Sequence, residues 1–403
     1  MKILTSFLII GCLISCRVQL KNHRFPNPVD TTDNEITIQE KRIFKVNEAI
    51  TIDNQFDGAR FSNLTVLNDS VISITTTPEN EPINSSPWYA LRLVSALDKS
   101  PTSLTICIDY PHKYKHRYWP NISVDQKSWS RVDSTAVKIS EDSQQLTIKL
   151  SLISDTIWIA AQPIVSSTTV GTWCDSLSHA ENVKSSSAGL SMLGRKLPFL
   201  KIGSGKKTIV ILSRQHPPEV TGFFALKYFL NEILVNELSD KFLKEYCFLV
   251  YPLVNPDGVD LGHWRHNAAG VDLNRDWQYY KQPEVNAIAN HIINTLNDDR
   301  LEIVLGLDFH STWYDVYYST DRTLKTKNRK FTDEWFQYIE NNIPEYKVKD
   351  APSGLQSPVS KGWFVAQFNV PGITYEIGDN TPMEFIKEKS SVTAEGLMKI
   401  LFE

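Results

Sequence analysis

Long blocks of like charge are missing from this 403-residue sequence. Its 42 Lys and Arg stand against 46 Asp and Glu, a net charge of -4, so nothing points to nucleic acid or a strongly anionic membrane surface as a partner. A small molecule or a peptide is the expected ligand. Cysteine is scarce too, with five in all. Cys12 and Cys16 fall in the first sixteen residues, and Cys107, Cys174 and Cys247 are too scattered for a disulfide framework or a paired metal motif. No internal repeat is visible. What remains is ordinary soluble composition, 41% hydrophobic and 22% charged, on a chain long enough for two domains.

The first sixteen residues, "MKILTSFLIIGCLISC", place one Lys, an apolar run and a small residue ahead of Cys16. The run is too short for a stable membrane helix and has the layout of a secretory signal. It also resembles a bacterial lipoprotein signal with "LISC" as the lipobox, which implies lipidation of Cys16 after cleavage; a plain signal peptide is the alternative. The expected location is the cell envelope, periplasmic or surface, with a lipid anchor as the only membrane contact. Residues 17 to 40, polar with Pro and Asn, read as a tether.

From 41 to 165 the chain is built of short segments of period near two, such as "SLTICIDYP" and "QQLTIKLSL", separated by Ser, Asn, Asp and Pro turns. This pattern predicts an antiparallel β-sandwich. The aromatics of "KYKHRYWPN" suit packing between the sheets or against the next domain, the commoner fate of such residues, rather than a sugar platform. A Ser/Thr-rich stretch, 166 to 194, reads as a linker. From 195 to 403, apolar strands such as "KKTIVILSR", "YCFLVYPLV", "EIVLGLDFH" and "VPGITYEIG" alternate with segments of helical spacing. That alternation predicts an α/β domain whose sheet is covered by helices, with its site at the strand ends.

Chemistry-bearing residues stand at those ends. His216 and Glu219 follow one strand in "RQHPPEV", with two prolines restricting the backbone between them, and His310 ends another in "LDFHS". Two imidazoles and a carboxylate are a ligand set for catalytic zinc that leaves a fourth position for water, and such a set also binds cobalt and other divalent metals. Singly, such residues have structural explanations: His216 as a satisfied buried histidine, Glu219 as a helix N-terminal carboxylate, Glu376 as a surface strand residue. "YPLVNPDGV", "WRHNAAGVDLNRDW" and "GITYEIGD" extend the pattern. In this order the segments resemble the zinc carboxypeptidase family of carboxypeptidase A, and especially its cytosolic-carboxypeptidase-like branch, over about residues 195 to 390. "WYALRL" and "RYWPN" resemble that branch's N-terminal domain more loosely.

The resemblance implies one zinc per chain on His216, Glu219 and His310, and a mixed sheet flanked by helices. It makes Glu376 the general base, Arg265 the oxyanion stabiliser, and Asn274 and Arg275 the grip on a substrate's free C-terminal carboxylate. These roles agree with the chemistry of the groups. A carboxylate can relay a water proton to a leaving amine, a cation can stabilise an oxyanion, and a planar guanidinium pairs with a carboxylate in bidentate fashion. In "NPDG", Asn255 to Gly258 are turn residues with a shaping task. The family's capping tyrosine has no counterpart in "DAPSGLQSPVSKGW". Lys361 falls where the family places a determinant of the specificity pocket; it is a solvated loop lysine or a cation that attracts a C-terminal Glu, Asp or acidic cell-wall peptide. Two other functions fit the same residues: a zinc-dependent deacylase of N-acyl amino acids, and a non-catalytic carboxypeptidase-like binding lipoprotein.

Overall fold

The computed structural model describes residues 17–96, 103–111 and 113–402, so the lipidation expected at Cys16 lies outside the described residues. In chain order the first half contributes β1 (Ile43–Lys45), β2 (Ile50–Asp53), β3 (Asn63–Asn68), β4 (Val71–Thr75), β5 (Ala90–Ser95), β6 (Ser103–Asp109), β7 (Asn121–Ser123), β8 (Ser130–Arg131), β9 (Val137–Ile139), β10 (Gln145–Ser151) and β11 (Thr156–Ala160). They form a six-stranded sheet, β1-β2-β5-β11-β7-β8, and a five-stranded sheet, β3-β4-β6-β10-β9. Period-two alternation sets the packing. Ile72 and Ile74, Leu104, Ile106 and Ile108, and Leu146 and Ile148 face inward from one sheet to meet Leu91, Leu93, Ile157 and Ile159 of the other. Each such side chain contributes roughly 1.5–3 kcal/mol of burial. The expectation of a wholly antiparallel sandwich is corrected at one ladder, where β4 and β6 pair in parallel, Val71 opposite Thr105. The chain between them, residues 76 to 102, is long enough to leave the sheet for β5 and return in the same direction.

The second half contributes α1 (Ser167–Leu177), β12 (Val183–Leu190), β13 (Lys196–Ile202), β14 (Lys207–Ser213), α2 (Val220–Val235), α3 (Ser239–Glu245), β15 (Tyr246–Tyr251), α4 (Pro256–Leu261), α5 (Pro283–Asp298), β16 (Glu302–Thr312), β17 (Val316–Tyr318), α6 (Phe331–Asn342), α7 (Ser360–Phe368), β18 (Gly372–Gly378) and α8 (Met383–Phe402). Seven strands make one mixed sheet in the order β12-β13-β15-β14-β16-β18-β17, with β15, β14, β16 and β18 parallel. Alternate residues of β14 serve opposite faces. Ile209 and Ile211 join the core under α2, α6 and α8, while Val210 and Leu212 join the core under α5 and α7. This double burial explains strands that read as continuous apolar runs. The chain leaves β14 for β15 on one side and later takes β16 on the other, so the crevice at the C-terminal end of β14 is a topological switch point.

Two segments differ from the sequence reading. The stretch read as a linker holds α1, capped by the Ser166 side chain on Thr169 N, and β12, an edge strand paired with β13. Its Ser/Thr-rich composition hid both, because an edge strand and a short surface helix bury few side chains. Residues 17 to 40, read as a tether, carry no helix or strand yet lie fastened to the second half. Val18 N donates to Asn297 Oδ1 at 2.8 Å, Asn27 N to Gln356 O at 2.8 Å, and Phe25 is buried beside Gly362. A polar segment can satisfy its backbone on another surface as well as in water, a distinction composition does not carry. Cys107, Cys174 and Cys247 are free, and among the described residues no helix is long and apolar enough to cross a membrane.

Candidate active site and metal centre

At the end of β14 the chain turns sharply. Arg214 takes a left-handed φ of 54°, an uncommon conformation for a side chain of its size, and its buried guanidinium donates from Nη2 to Pro217 O at 2.7 Å, bracing the turn that carries both ligands. Glu219 stands at the cap position of α2, yet its carboxylate does not cap the helix. One oxygen lies 2.8 Å from His216 Nδ1 and the other 2.6 Å from His310 Nδ1. The N-terminus of α2 can approach this closely because Gly222 has no side chain; a Cβ there would sit 2.4 Å from His310 O.

His216, Glu219 and His310 therefore bring three ligand atoms within 4.8 Å of one another, all buried. The outward nitrogens are held as well. His216 Nε2 meets Asp272 Oδ1 at 2.9 Å and His310 Nε2 meets Asp308 Oδ2 at 2.8 Å. With each Nε2 engaged by a carboxylate, each Nδ1 is directed to the shared centre, the arrangement in which a neutral imidazole ligates metal. Two nitrogens and one carboxylate, closed on the outside and open to a cleft, fit a catalytic zinc. Burial alone would raise the Glu219 pKa, but the neighbouring His216 and His310 hold it well below the usual carboxylate range. Burial likewise opposes charge on His310, and Asp308 and Glu219 outweigh it, raising its pKa well above the ordinary value.

Sequence reasoning did not single out Asp308, Gln215 or the role of Asp272. Asp308 and His310 are two apart on β16 and share a face, which is the one signal the sequence offers. Asp308 also accepts from Gln215 Nε2 at 2.6 Å and from the Ser360 hydroxyl. Asp272 accepts Arg265 Nε at 2.8 Å, so one carboxylate orients a metal ligand and a cleft cation together. Burial would raise the Asp272 pKa, but Arg265 and His216 hold it well below its usual range.

A cleft of about 580 Å³ opens over the cluster and is lined by Arg265, Asn274, Arg275, Lys361 and Glu376 along with the three ligands. The second-half residues given metal, catalytic or substrate-binding roles thus line one cleft. Glu376 lies opposite His310 in the β16–β18 ladder, so both project from the same face. Among the described residues its buried Oε2 has no hydrogen-bond partner. Burial, reinforced by the charge of Glu219, pushes its pKa up to about 8. Arg275 Nη1 donates to Asn274 O at 2.8 Å, and Asn274 Oδ1 accepts Ser360 N at 2.9 Å, which seats the start of α7. Lys361 is not a solvated loop residue. It is buried in the first turn of α7, where its Nζ donates to Ser319 O at 3.1 Å and to the Ser353 hydroxyl, and burial pushes it down to about 8 against the pull of Asp350 and Asp321.

The first half reaches the cleft too. Arg117, from the aromatic stretch "KYKHRYWPN", lines it and pairs with Asp379 at 2.7 Å, while Tyr114 packs edge-on against Trp264 with ring centroids 4.9 Å apart. Those aromatics pack against the second half, as expected, and the cation between them faces the site. "NPDG" forms the start of α4, with Asn255 Oδ1 accepting Gly258 N at 2.9 Å.

An α/β sheet whose switch point holds a His–Glu–His cluster, with an unpartnered carboxylate and three guanidiniums around one cleft, defines a metallohydrolase scaffold. The chain belongs to the zinc carboxypeptidase family, which it matches over residues 170–396, and residues 52–161 match the cytosolic carboxypeptidase N-terminal domain. Cytosolic carboxypeptidase 2 of Homo sapiens is 36% identical over 110 residues, 27% of this chain and 12% of that protein. Cytosolic carboxypeptidase 6 of Mus musculus is 32% identical over 135 residues, 30% of this chain and 25% of that one. The chain thus spans a quarter or less of these relatives. The metallo-carboxypeptidase of Burkholderia cenocepacia shares the fold at a TM-score of 0.74 and 17% identity, over 88% of this chain and 99% of that one. The metallo-carboxypeptidase of Pseudomonas aeruginosa, solved in complex with (2-guanidinoethylmercapto)succinic acid, does so at 0.70 and 16%, over 87% and 99%.

Proposed function

We propose that this chain is a zinc-dependent carboxypeptidase that releases the C-terminal residue of peptides. One observation carries the reading: a ready metal cluster, an unpartnered carboxylate on the adjoining strand and the guanidiniums of Arg265 and Arg275 all line the same cleft. When bound, zinc polarises the scissile carbonyl and acidifies a water. Glu376 takes the water's proton on its free oxygen and returns it to the departing amine. Arg265, held from behind by Asp272, presents its remaining donors to the developing oxyanion, a contribution of about 3 kcal/mol where one such donor has been removed elsewhere. Arg275, the more exposed guanidinium, grips the substrate's terminal carboxylate with Asn274.

Lys361 sets the preference for the last side chain. Two of its three donors are used by Ser319 and Ser353, which leaves one for an acidic side chain entering the pocket beside Tyr318 and Thr374. Arg275→Ala should raise KM for free-acid peptides at least about tenfold, with a smaller change in kcat, and amidated peptides should be poor substrates of both proteins. Lys361→Met should reduce the kcat/KM ratio of C-terminal Glu over Leu by about tenfold or more. Equal rates for the two peptides, with a ratio the substitution leaves alone, reject the acidic pocket.

Export to the cell envelope with a lipid on Cys16 belongs to the same proposal and is supported by the character of the first sixteen residues. Cys16→Ser should move the protein from the membrane fraction to the soluble one. Unchanged membrane association would reject the anchor.

A further inference from the structure

Glu79 lies in the sandwich half, between β4 and β5, and is fully buried, yet among the described residues no Lys or Arg forms an ion pair with it. Its carboxylate instead accepts three successive backbone N–H groups from the second half: Trp264 at 2.7 Å on one oxygen, Arg265 at 3.0 Å and His266 at 2.6 Å on the other. Removing a carboxylate from water is costly, and a nest of three aligned amides is what offsets it here. Burial would raise the Glu79 pKa, but His263, His266 and these N–H groups keep it below the ordinary carboxylate value. The adjoining residue adds two ties. Asn80 Nδ2 donates to Gly270 O at 3.0 Å, and its Oδ1 lies 2.6 Å from His266 Nδ1. Trp264 anchors the same segment, its indole donating to Trp88 O at 3.0 Å.

The middle residue of the gripped tripeptide is Arg265. Its side chain has one fixed point, Asp272, and its backbone has another, Glu79, on the other half of the molecule. We propose that Glu79 is a positioning residue that aims the Arg265 guanidinium at the reacting carbonyl, which makes the sandwich a working part of the catalytic apparatus. The proposal rests on the reading of Arg265 as the oxyanion stabiliser. A fixed donor acts on the transition state without reorganising, and a displacement of about 1 Å can cost up to ~100-fold in rate.

The test uses the zinc-loaded full chain with a cleavable free-acid peptide. Glu79→Gln keeps the shape but offers one acceptor oxygen to three donors and turns an amide N–H₂ towards at least one of them. It should lower kcat about 30-fold with KM within about twofold and zinc still at one per chain. Glu79→Asp, which keeps the charge and both oxygens, should lose less, and it carries the test if the Gln variant fails to fold. In an Arg265→Ala background either substitution should cost less than about threefold more, because the group it aims is gone. An unchanged kcat in Glu79→Gln, or the same loss with and without Arg265, overturns the proposal. If Arg265→Ala keeps wild-type kcat while the amides of residues 264–266 exchange faster in Glu79→Gln, the contact stands but the oxyanion role of Arg265 fails, and the proposal fails with it.

Discussion

Replacing Glu376 by Gln should lower kcat roughly 10²–10⁴-fold while zinc remains bound at one per chain. The change is nearly isosteric and the side chain is no metal ligand, so the loss reports the missing base. The same substitution should stabilise the metal-free protein. The folded Glu376 pKa of about 8 lies above its ordinary 4.5, so the native state keeps a proton that the unfolded chain releases between those values. Stability contributed by the protonated group is therefore fully present below about pH 4.5 and is lost as pH rises through about 8. The Gln variant carries no such dependence. Its melting temperature should match wild type near pH 4.5 and exceed it increasingly towards pH 8, as thermal unfolding of the two metal-free proteins at several pH values will show. In the zinc-loaded enzyme the dication favours the ionised carboxylate, which places the acid limb of kcat/KM below pH 8.

Removing a metal ligand should have an effect of similar size. His310→Ala takes away one of three protein ligands and leaves the buried carboxylates of Asp308 and Glu219 without the imidazole between them, so stoichiometric zinc and activity should both be lost. Asp308→Asn keeps the ligand and loosens its orientation, and should weaken zinc binding about 10–100-fold. Because His310 is held protonated when no cation is present, zinc uptake at neutral pH should release protons. Calorimetric titration in buffers of different ionisation enthalpy measures that release directly. Zinc binding to His310→Ala as tight as to wild type would remove the cluster from consideration as the metal site.

The parts of this site that were legible in the sequence are those fixed by local pattern. Apolar runs leading to His216, His310 and Glu376 are strands that arrive at one edge, and parallel strands must deliver their C-terminal ends to the same side. The family pattern then supplied Arg265, Asn274, Arg275 and Lys361. Supporting residues were harder to read. Asp272 and Asp308 act by accepting hydrogen bonds from imidazoles, a relation set by register and not by spacing alone. Glu79 binds backbone amides 185 to 187 residues away, and backbone amides leave no mark in sequence. Composition also misled over residues 17 to 40 and 166 to 194, where polar character hid a docked segment, a helix and an edge strand. Lys361 shows the converse: its helix begins with "SKGWF", which has weak helical patterning, so its burial in the pocket wall became clear only from α7.

The most direct test of the central claim is mass spectrometry of a peptide mixture that covers every C-terminal residue, each with a free and an amidated terminus, after incubation with the zinc-loaded protein and with Glu376→Gln. Loss of single terminal residues from free-acid peptides alone is expected, fastest where the last residue is acidic, and none of it with the variant. Intact free-acid peptides after incubation with wild type carrying one zinc per chain would contradict it.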